Sequence, residues 1–178
     1  TTNTIIMKKI LNASFGCLLA LCLLGGGTFS SAQAETVQKK ESFQVGKQAF
    51  LLNGKPFIIK AAEIHYPRIP EPYWEHRILL CKALGMNTIC LYVFWNLHET
   101  EPDQFDFSGN KDIAKFCRLA QKHGMYIIVR PGPYVCAEWE MGGLPWWLLK
   151  KKDVQLRTLD TYYISRVEKF MKEVGKQL

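Results

Sequence analysis

A chain of 178 residues has the length for one modest domain with a core of its own. Its formal charge of +7 is mild, and the one basic run, Lys150-Lys151-Lys152, reads as a solvated loop, so a nucleic-acid partner is not indicated. Six cysteines without a C-x-x-C pair imply no zinc module.

The first element is a leader. Lys8 and Lys9 precede an apolar stretch, Phe15 to Leu24, and small residues follow, ending in Ala32-Gln33-Ala34. The apolar run is too short for a bilayer span, and Ala-x-Ala suits a signal peptidase, so residues 1–34 read as a signal peptide with Glu35 as the mature start. Met7 reads as the initiator, and residues 1–6 carry no structural weight. Lipid attachment at Cys22 is the alternative, disfavoured by the bulky Leu21 before it. Export to the periplasm or the exterior is therefore expected, with no membrane partner after cleavage. The 144 residues that remain hold 21 basic and 16 acidic groups. Their four cysteines, Cys81, Cys90, Cys117 and Cys136, are expected mostly as free thiols, because three of them lie in apolar periodic segments.

Residues 35–49 form a polar lead-in, featureless over 35–42. Phe50 to Leu52, Asn53-Gly54 and Phe57 to Ile59 predict a β-hairpin, which runs on into Ala61 to His65. After Pro70 and Pro72, the residues Trp74, Ile78, Cys81 and Leu84 fall at helical spacing and Gly85 ends the helix. The continuous run Thr88 to Val93 predicts a buried parallel strand. A loop over 94–110 leads to a helix burying Ile113, Phe116, Cys117 and Ala120, with Gly124 as stop, and then the strand Tyr126 to Arg130. A long loop, 131–159, precedes a helix starting near Asp160 that buries Tyr163, Val167, Phe170 and Val174. Short helix-to-strand turns and long strand-to-helix loops predict an α/β fold, a (β/α)8 TIM barrel of which 50–178 supplies about the first three βα units. A doubly wound sheet is the competing architecture. A complete barrel takes about 250 residues, so three units would leave strand edges and core uncovered.

No G-x-G-x-x-G, P-loop, H-E-x-x-H or G-x-S-x-G occurs, which leaves nucleotide, zinc-protease and serine-hydrolase chemistry without support. His65, His76, His98 and His123 are scattered, which suggests structural or surface imidazoles and no metal site. Beyond the predicted strand ends stand Tyr92, Phe94, Trp95, Asn96, His98 and Glu99, then Tyr134, Cys136, Glu138, Trp139, Glu140, Trp146 and Trp147. Residues at the carboxyl ends of barrel strands line the active-site mouth. Aromatic faces with carboxylates suit sugars, whose C–H faces stack while their hydroxyls find acceptors. Trp146 and Trp147 are candidates for sugar stacking, or alternatively they pin the loop. Glu138 is a candidate hydroxyl acceptor, or alternatively the ion-pair partner of Arg130.

Three stretches carry a family resemblance: Ala62-Glu-Ile-His-Tyr-Pro-Arg68, Asn87-Thr-Ile-Cys-Leu-Tyr-Val-Phe-Trp-Asn-Leu-His-Glu99 and Gly132-Pro-Tyr-Val-Cys-Ala-Glu-Trp-Glu-Met-Gly-Gly-Leu-Pro-Trp-Trp-Leu148. Together they resemble the signatures of glycoside hydrolase family 35, the β-galactosidases, over roughly 43–178. The resemblance implies a retaining, exo-acting enzyme that removes terminal β-linked galactose from galactose-containing glycans, without a metal or organic cofactor. It implies that Tyr92, Val135, Cys136, Ala137 and Glu138 hold the galactose, with Val135 where isoleucine is common. It also implies an acid/base glutamate after a fourth strand and a nucleophilic glutamate after a later one. Neither has a match up to Leu178, so the catalytic pair is expected downstream and this chain alone is expected to be inactive. An exo-glycosidase for β-linked glucosamine or glucose is the alternative within enzymes. A non-catalytic carbohydrate-binding module is the alternative outside them.

Overall fold

The computed structural model describes Ile5–Ile6 and residues 41–178. The leader expected over residues 1–34 otherwise lies outside the described residues. These residues fall into two compact units: one runs from residue 59 to the end together with β1 (Ile5–Ile6), and the described part of the other is 41–58.

The smaller unit is an antiparallel sheet of β2 (Phe43–Val45), β3 (Phe50–Leu52) and β4 (Lys55–Phe57). The expected Asn53-Gly54 hairpin is there, but its return strand starts two residues early, because a two-residue turn sets Lys55 directly opposite Leu52. The described part of the lead-in, 41–49, also holds a strand that its polarity did not suggest. Phe43 lies opposite Leu52 and stacks on the Phe50 ring at 5.4 Å, a cross-strand contact that makes β2 a strand.

The larger unit begins with β5 (Ala61–Glu63), α1 (Trp74–Ala83) and β6 (Thr88–Tyr92). The expected loop 94–110 holds a helical turn, α2 (Trp95–His98), and a short hairpin of β7 (Glu99–Glu101) and β8 (Gln104–Phe105). Then come α3 (Ile113–Lys122), β9 (Tyr126–Arg130) and, after 3₁₀ turns at Glu140–Gly143 and Trp146–Lys150, α4 (Thr161–Gln177). Strands β5, β6 and β9 are parallel and adjacent in chain order. Although residues 1–6 were expected to contribute nothing, β1 pairs antiparallel with β9, Ile5 opposite Val129 and Ile6 opposite Ile128.

Both strand-connecting helices end in the same cap. The Gly85 N–H reaches the Lys82 carbonyl and the Met86 N–H reaches that of Cys81; Gly124 and Met125 repeat this with Gln121 and Ala120. The arrangement is a Schellman motif whose glycine must take positive φ, here 83° and 74°. It turns the chain at once into the next strand. The start of α3 is capped by the Asp112 carboxylate on the Lys115 N–H at 2.7 Å, and that of α4 by Asp160 on the Tyr163 N–H at 2.8 Å.

Side chains alternate across a parallel strand, and here the alternation divides the sheet into a dry face and an open one. Ile89, Leu91, Val93, Ile127 and Val129 are buried with Ile78 of α1 and Phe116, Cys117 and Ala120 of α3. Both helices therefore cover one face, with α1 against α3, whereas a doubly wound sheet puts helices on both. The other face presents Glu63, Cys90, Tyr92, Ile128 and Arg130 by register. Leu84 corrects the expected stripe of α1: it caps the helix at 77% exposure, because successive steps of three drift away from the buried Trp74 and Ile78. Val167 is half-buried in α4, while Tyr163, Phe170 and Val174 are buried as expected. The four cysteines are free thiols; Cys117 is buried, Cys81 and Cys90 are partly buried, and Cys136 is exposed.

His98 is the buried exception among the histidines. Its Nδ1 donates to the Asp106 carbonyl at 2.9 Å and its Nε2 accepts the Tyr66 hydroxyl at 2.6 Å, which fixes a neutral tautomer. Burial pushes its pKa down from 6.5 to about 4. The unfolded chain therefore binds this proton first, and stability that is complete above pH 6.5 falls as pH drops to 4. The loss from this group is expected to reach about 3 kcal/mol at pH 4. Denaturant titrations at pH 7 and pH 4 check it: His98→Gln should show a smaller pH difference than wild type.

Candidate active site

The carboxyl ends of β5, β6 and β9 bring a set of polar and aromatic side chains onto the open face. Tyr92 is its centre. The Arg130 guanidinium lies 4.2 Å from the Tyr92 ring centroid, and its Nη1 donates to the Tyr92 hydroxyl oxygen. The Arg130 Nη1 also lies 3.6 Å from Glu63 Oε2, and Glu63 Oε1 accepts from His65 Nε2 at 2.9 Å. The His65 ring meets Tyr92 edge-on at 5.4 Å and Phe94 at 5.5 Å. Burial raises the Tyr92 pKa against the opposing pull of Arg130, so the phenol keeps its proton. Because its oxygen already accepts from Arg130, that O–H is free to donate to a ligand oxygen.

The loop after β9 wraps over this group. Val135 is buried with Tyr92 and Phe94, and Ala137 and Trp139 pack on the same cluster. Trp139 stacks on Phe94 with centroids 4.0 Å apart and donates Nε1 to Asn96 Oδ1 at 2.8 Å. Cys136, Ala137 and Glu138 all have positive φ, at 61°, 52° and 46°. Three consecutive non-glycine residues in this sparsely populated region are strained, and such strain persists only where surrounding contacts enforce it. Those contacts come from Arg68, whose Nη2 donates to the Ala137 carbonyl at 3.0 Å and to that of Glu138 at 2.8 Å. The Val135 N–H also bonds the Gly142 carbonyl at 2.8 Å. Gly142 must lack a side chain, since a Cβ there would sit 2.0 Å from a Tyr134 ring carbon. Glu138 and Cys136 are left exposed on the loop whose Val135 and Ala137 pack against Tyr92.

Of the five residues expected to hold a sugar, Val135 and Ala137 pack on Tyr92, with Val135 buried, and Cys136 and Glu138 lie on the same turn. Two other candidates are placed elsewhere. Glu99 is fully buried and takes hydrogen bonds from Trp95 Nε1 and the Asp103 N–H and an ion pair from Arg166. Trp147 is 1% exposed, edge-on to Trp95, with Nε1 on the Glu99 carbonyl at 3.0 Å; it pins the loop and offers no face for stacking. Trp146 is 49% exposed and carries the Lys150 ammonium 4.2 Å from its ring centroid. Arg130 takes Glu63 and Tyr92 as partners in place of the expected alternative, Glu138. Glu63 and His65 were not expected in the site, His65 being expected as a structural or surface imidazole. Their spacing of two, at the exit of a strand, was the available signal, because it places both on one face.

Comparison with known proteins bears on the family. Glycosyl hydrolases family 35 matches residues 49–178. A mouse β-galactosidase is 44% identical over 154 residues, which are 86% of this chain and 24% of that protein. The human β-galactosidase is 44% identical over 154 residues, with 86% and 22% covered. One from Xanthomonas manihotis is 42% identical over 147 residues, with 83% and 25% covered. The chain therefore spans about a quarter of the length of these relatives. Among solved structures, the exo-β-1,4-mannosidase Op5Man5 from Opitutaceae bacterium strain TAV5 superposes with a TM-score of 0.52 at 22% identity, over 70% of this chain and 23% of that one. A likeness at that identity speaks to the fold alone. The family match over most of the chain and the β-galactosidase identities converge on one assignment: the chain belongs to glycosyl hydrolases family 35.

Proposed function

We propose that this chain is the amino-terminal part of the catalytic barrel of an exported, retaining β-galactosidase that removes terminal galactose from galactose-containing glycans. The observation that carries the reading is the meeting of Tyr92 with Val135, Ala137 and the strained turn ending in Glu138, at the carboxyl ends of parallel strands. A site there suits a (β/α)8 barrel, in which the half-open face bearing Glu63, Tyr92 and Arg130 becomes the lumen wall and mouth. The Tyr92 hydroxyl donates to one sugar oxygen, and the Glu138 carboxylate accepts from sugar hydroxyls as a charged, hence stronger, partner. Trp146 remains an outer surface for stacking on one ring face. Family members' two catalytic glutamates are placed by this reading after Leu178, and residues 1–34 are its export leader.

Glu138→Gln tests the reading in a chain continued to the relatives' length. It keeps shape and removes charge. Loss of one charge-assisted hydrogen bond is expected to cost about 1.5 to 3 kcal/mol, a fall of roughly ten- to a hundred-fold in kcat/KM for an aryl β-galactoside. The covalent intermediate should still form with a fluorosugar trap. Unchanged kinetics with a lower melting temperature would make Glu138 a structural residue. Intact mass of the same exported material reports the leader: a mature protein retaining residues before Glu35 would overturn that assignment.

A further inference from the structure

We infer that Glu63 is a positioning residue of this site, fixing the Arg130 guanidinium that in turn holds the Tyr92 phenol; the inference rests on the galactoside reading of Tyr92. The three residues sit on three adjacent parallel strands. Tyr92 lies opposite Arg130 in the β6–β9 register, and Glu63 lies opposite Cys90, two residues before Tyr92 on the same face. The side chains therefore run as a row across the open face of the sheet.

Each link in the row restricts the next. Glu63 is itself held: its Oε1 takes the His65 Nε2 proton at 2.9 Å, and the His65 ring is wedged edge-on against Tyr92 and Phe94. A carboxylate only accepts, so in this contact His65 Nε2 is the donor. The second Glu63 oxygen faces Arg130 Nη1 at 3.6 Å, long for a hydrogen bond but close enough for charge pairing. Arg130 is 44% exposed at its side chain, and a long side chain that free has many rotamers to lose. Glu63 biases it toward the rotamer that lies over the Tyr92 ring and donates to the phenol oxygen. That donation fixes which way the Tyr92 proton points, and so which sugar oxygen it reaches.

A half-exposed ion pair adds little to stability. The effect of Glu63 therefore belongs to substrate binding, and melting temperature should not register it. In a chain continued to the relatives' length, Glu63→Gln is expected to lower kcat/KM for an aryl β-galactoside about ten-fold, chiefly through KM, with an unchanged melting temperature. Glu63→Asp, which keeps the charge on a shorter stem, should recover part of the loss. In an Arg130→Gln background, Glu63→Gln should cost less than about two-fold, because the group through which it acts is gone. An equal loss in both backgrounds, unchanged kinetics, or a kinetic loss accompanied by a lower melting temperature would each overturn the inference. Tyr92→Phe, measured in parallel, separates the two readings. If it costs nothing, the role of Tyr92 in galactoside binding fails; if it weakens binding while Glu63→Gln does not, only the positioning role fails.

Discussion

Residues 35–178 expressed alone are expected to give no turnover of an aryl β-galactoside above background, while a chain continued to the relatives' length is expected to turn over. Retaining hydrolysis needs two carboxylates about 5 to 5.5 Å apart, one attacking the anomeric carbon and the other protonating the leaving oxygen. The acids near the candidate site are not free for these roles. Glu99 is fully buried beneath Trp95 and Arg166, and Glu63 is engaged by His65 and Arg130. Glu138 and Glu140 remain exposed, but both belong to the one loop after β9, whereas this reading takes the acid and nucleophile from the ends of two later strands. Positioning groups without acid and nucleophile bind without cleaving. The assay uses purified protein from a host whose own galactosidase is deleted. Turnover there would mean that both catalytic acids lie within residues 35–178.

The strands and helices of the parallel unit were legible because their signals are local and strong. Thr88 to Val93 and Tyr126 to Arg130 are short apolar runs, each preceded by a glycine whose Schellman cap leaves the chain one direction to take. Less legible was the segment 94–110, where a helical turn and a hairpin exist because Trp95, His98 and Glu99 are buried by residues distant in sequence. Spacing cannot report such burial. The same limit applied to the site. Tyr92 and Glu138 stood out through a family motif, whereas Glu63 depends on Arg130, 67 positions later, and becomes visible only when the register aligns β5 with β9 through β6. Trp147 shows the converse. Beside Trp146 in sequence it reads as an equal candidate for stacking, yet a 3₁₀ turn sends the two rings opposite ways, one to solvent and one to Trp95.

Arg166→Met is expected to destabilise the protein strongly, by about 3 to 5 kcal/mol. Arg166 Nη2 bridges Glu99 Oε1 at 2.6 Å and Asp103 Oδ1 at 2.7 Å, and its guanidinium lies 4.9 Å from the Trp147 ring centroid. Glu99 has no exposed surface, so an unpaired carboxylate there cannot be rescued by water. Trp95 Nε1 and the Asp103 N–H would still donate to it, at 2.6 and 2.8 Å, but neither brings a compensating charge. The pair also joins α4 to the turn that carries Trp95, on which Phe170 stacks at 5.1 Å, and the residues flanking Trp95 are Phe94 and Asn96 of the candidate site. Destabilisation should therefore reach the support of Trp139 as well. The double variant Glu99→Gln/Arg166→Met removes both charges and should recover part of the loss, since replacing a buried pair costs less than orphaning one partner. Denaturant unfolding of the wild type, the two single variants and the double variant completes the cycle. An Arg166→Met protein within about 1 kcal/mol of wild type would show that Glu99 does not depend on this ion pair.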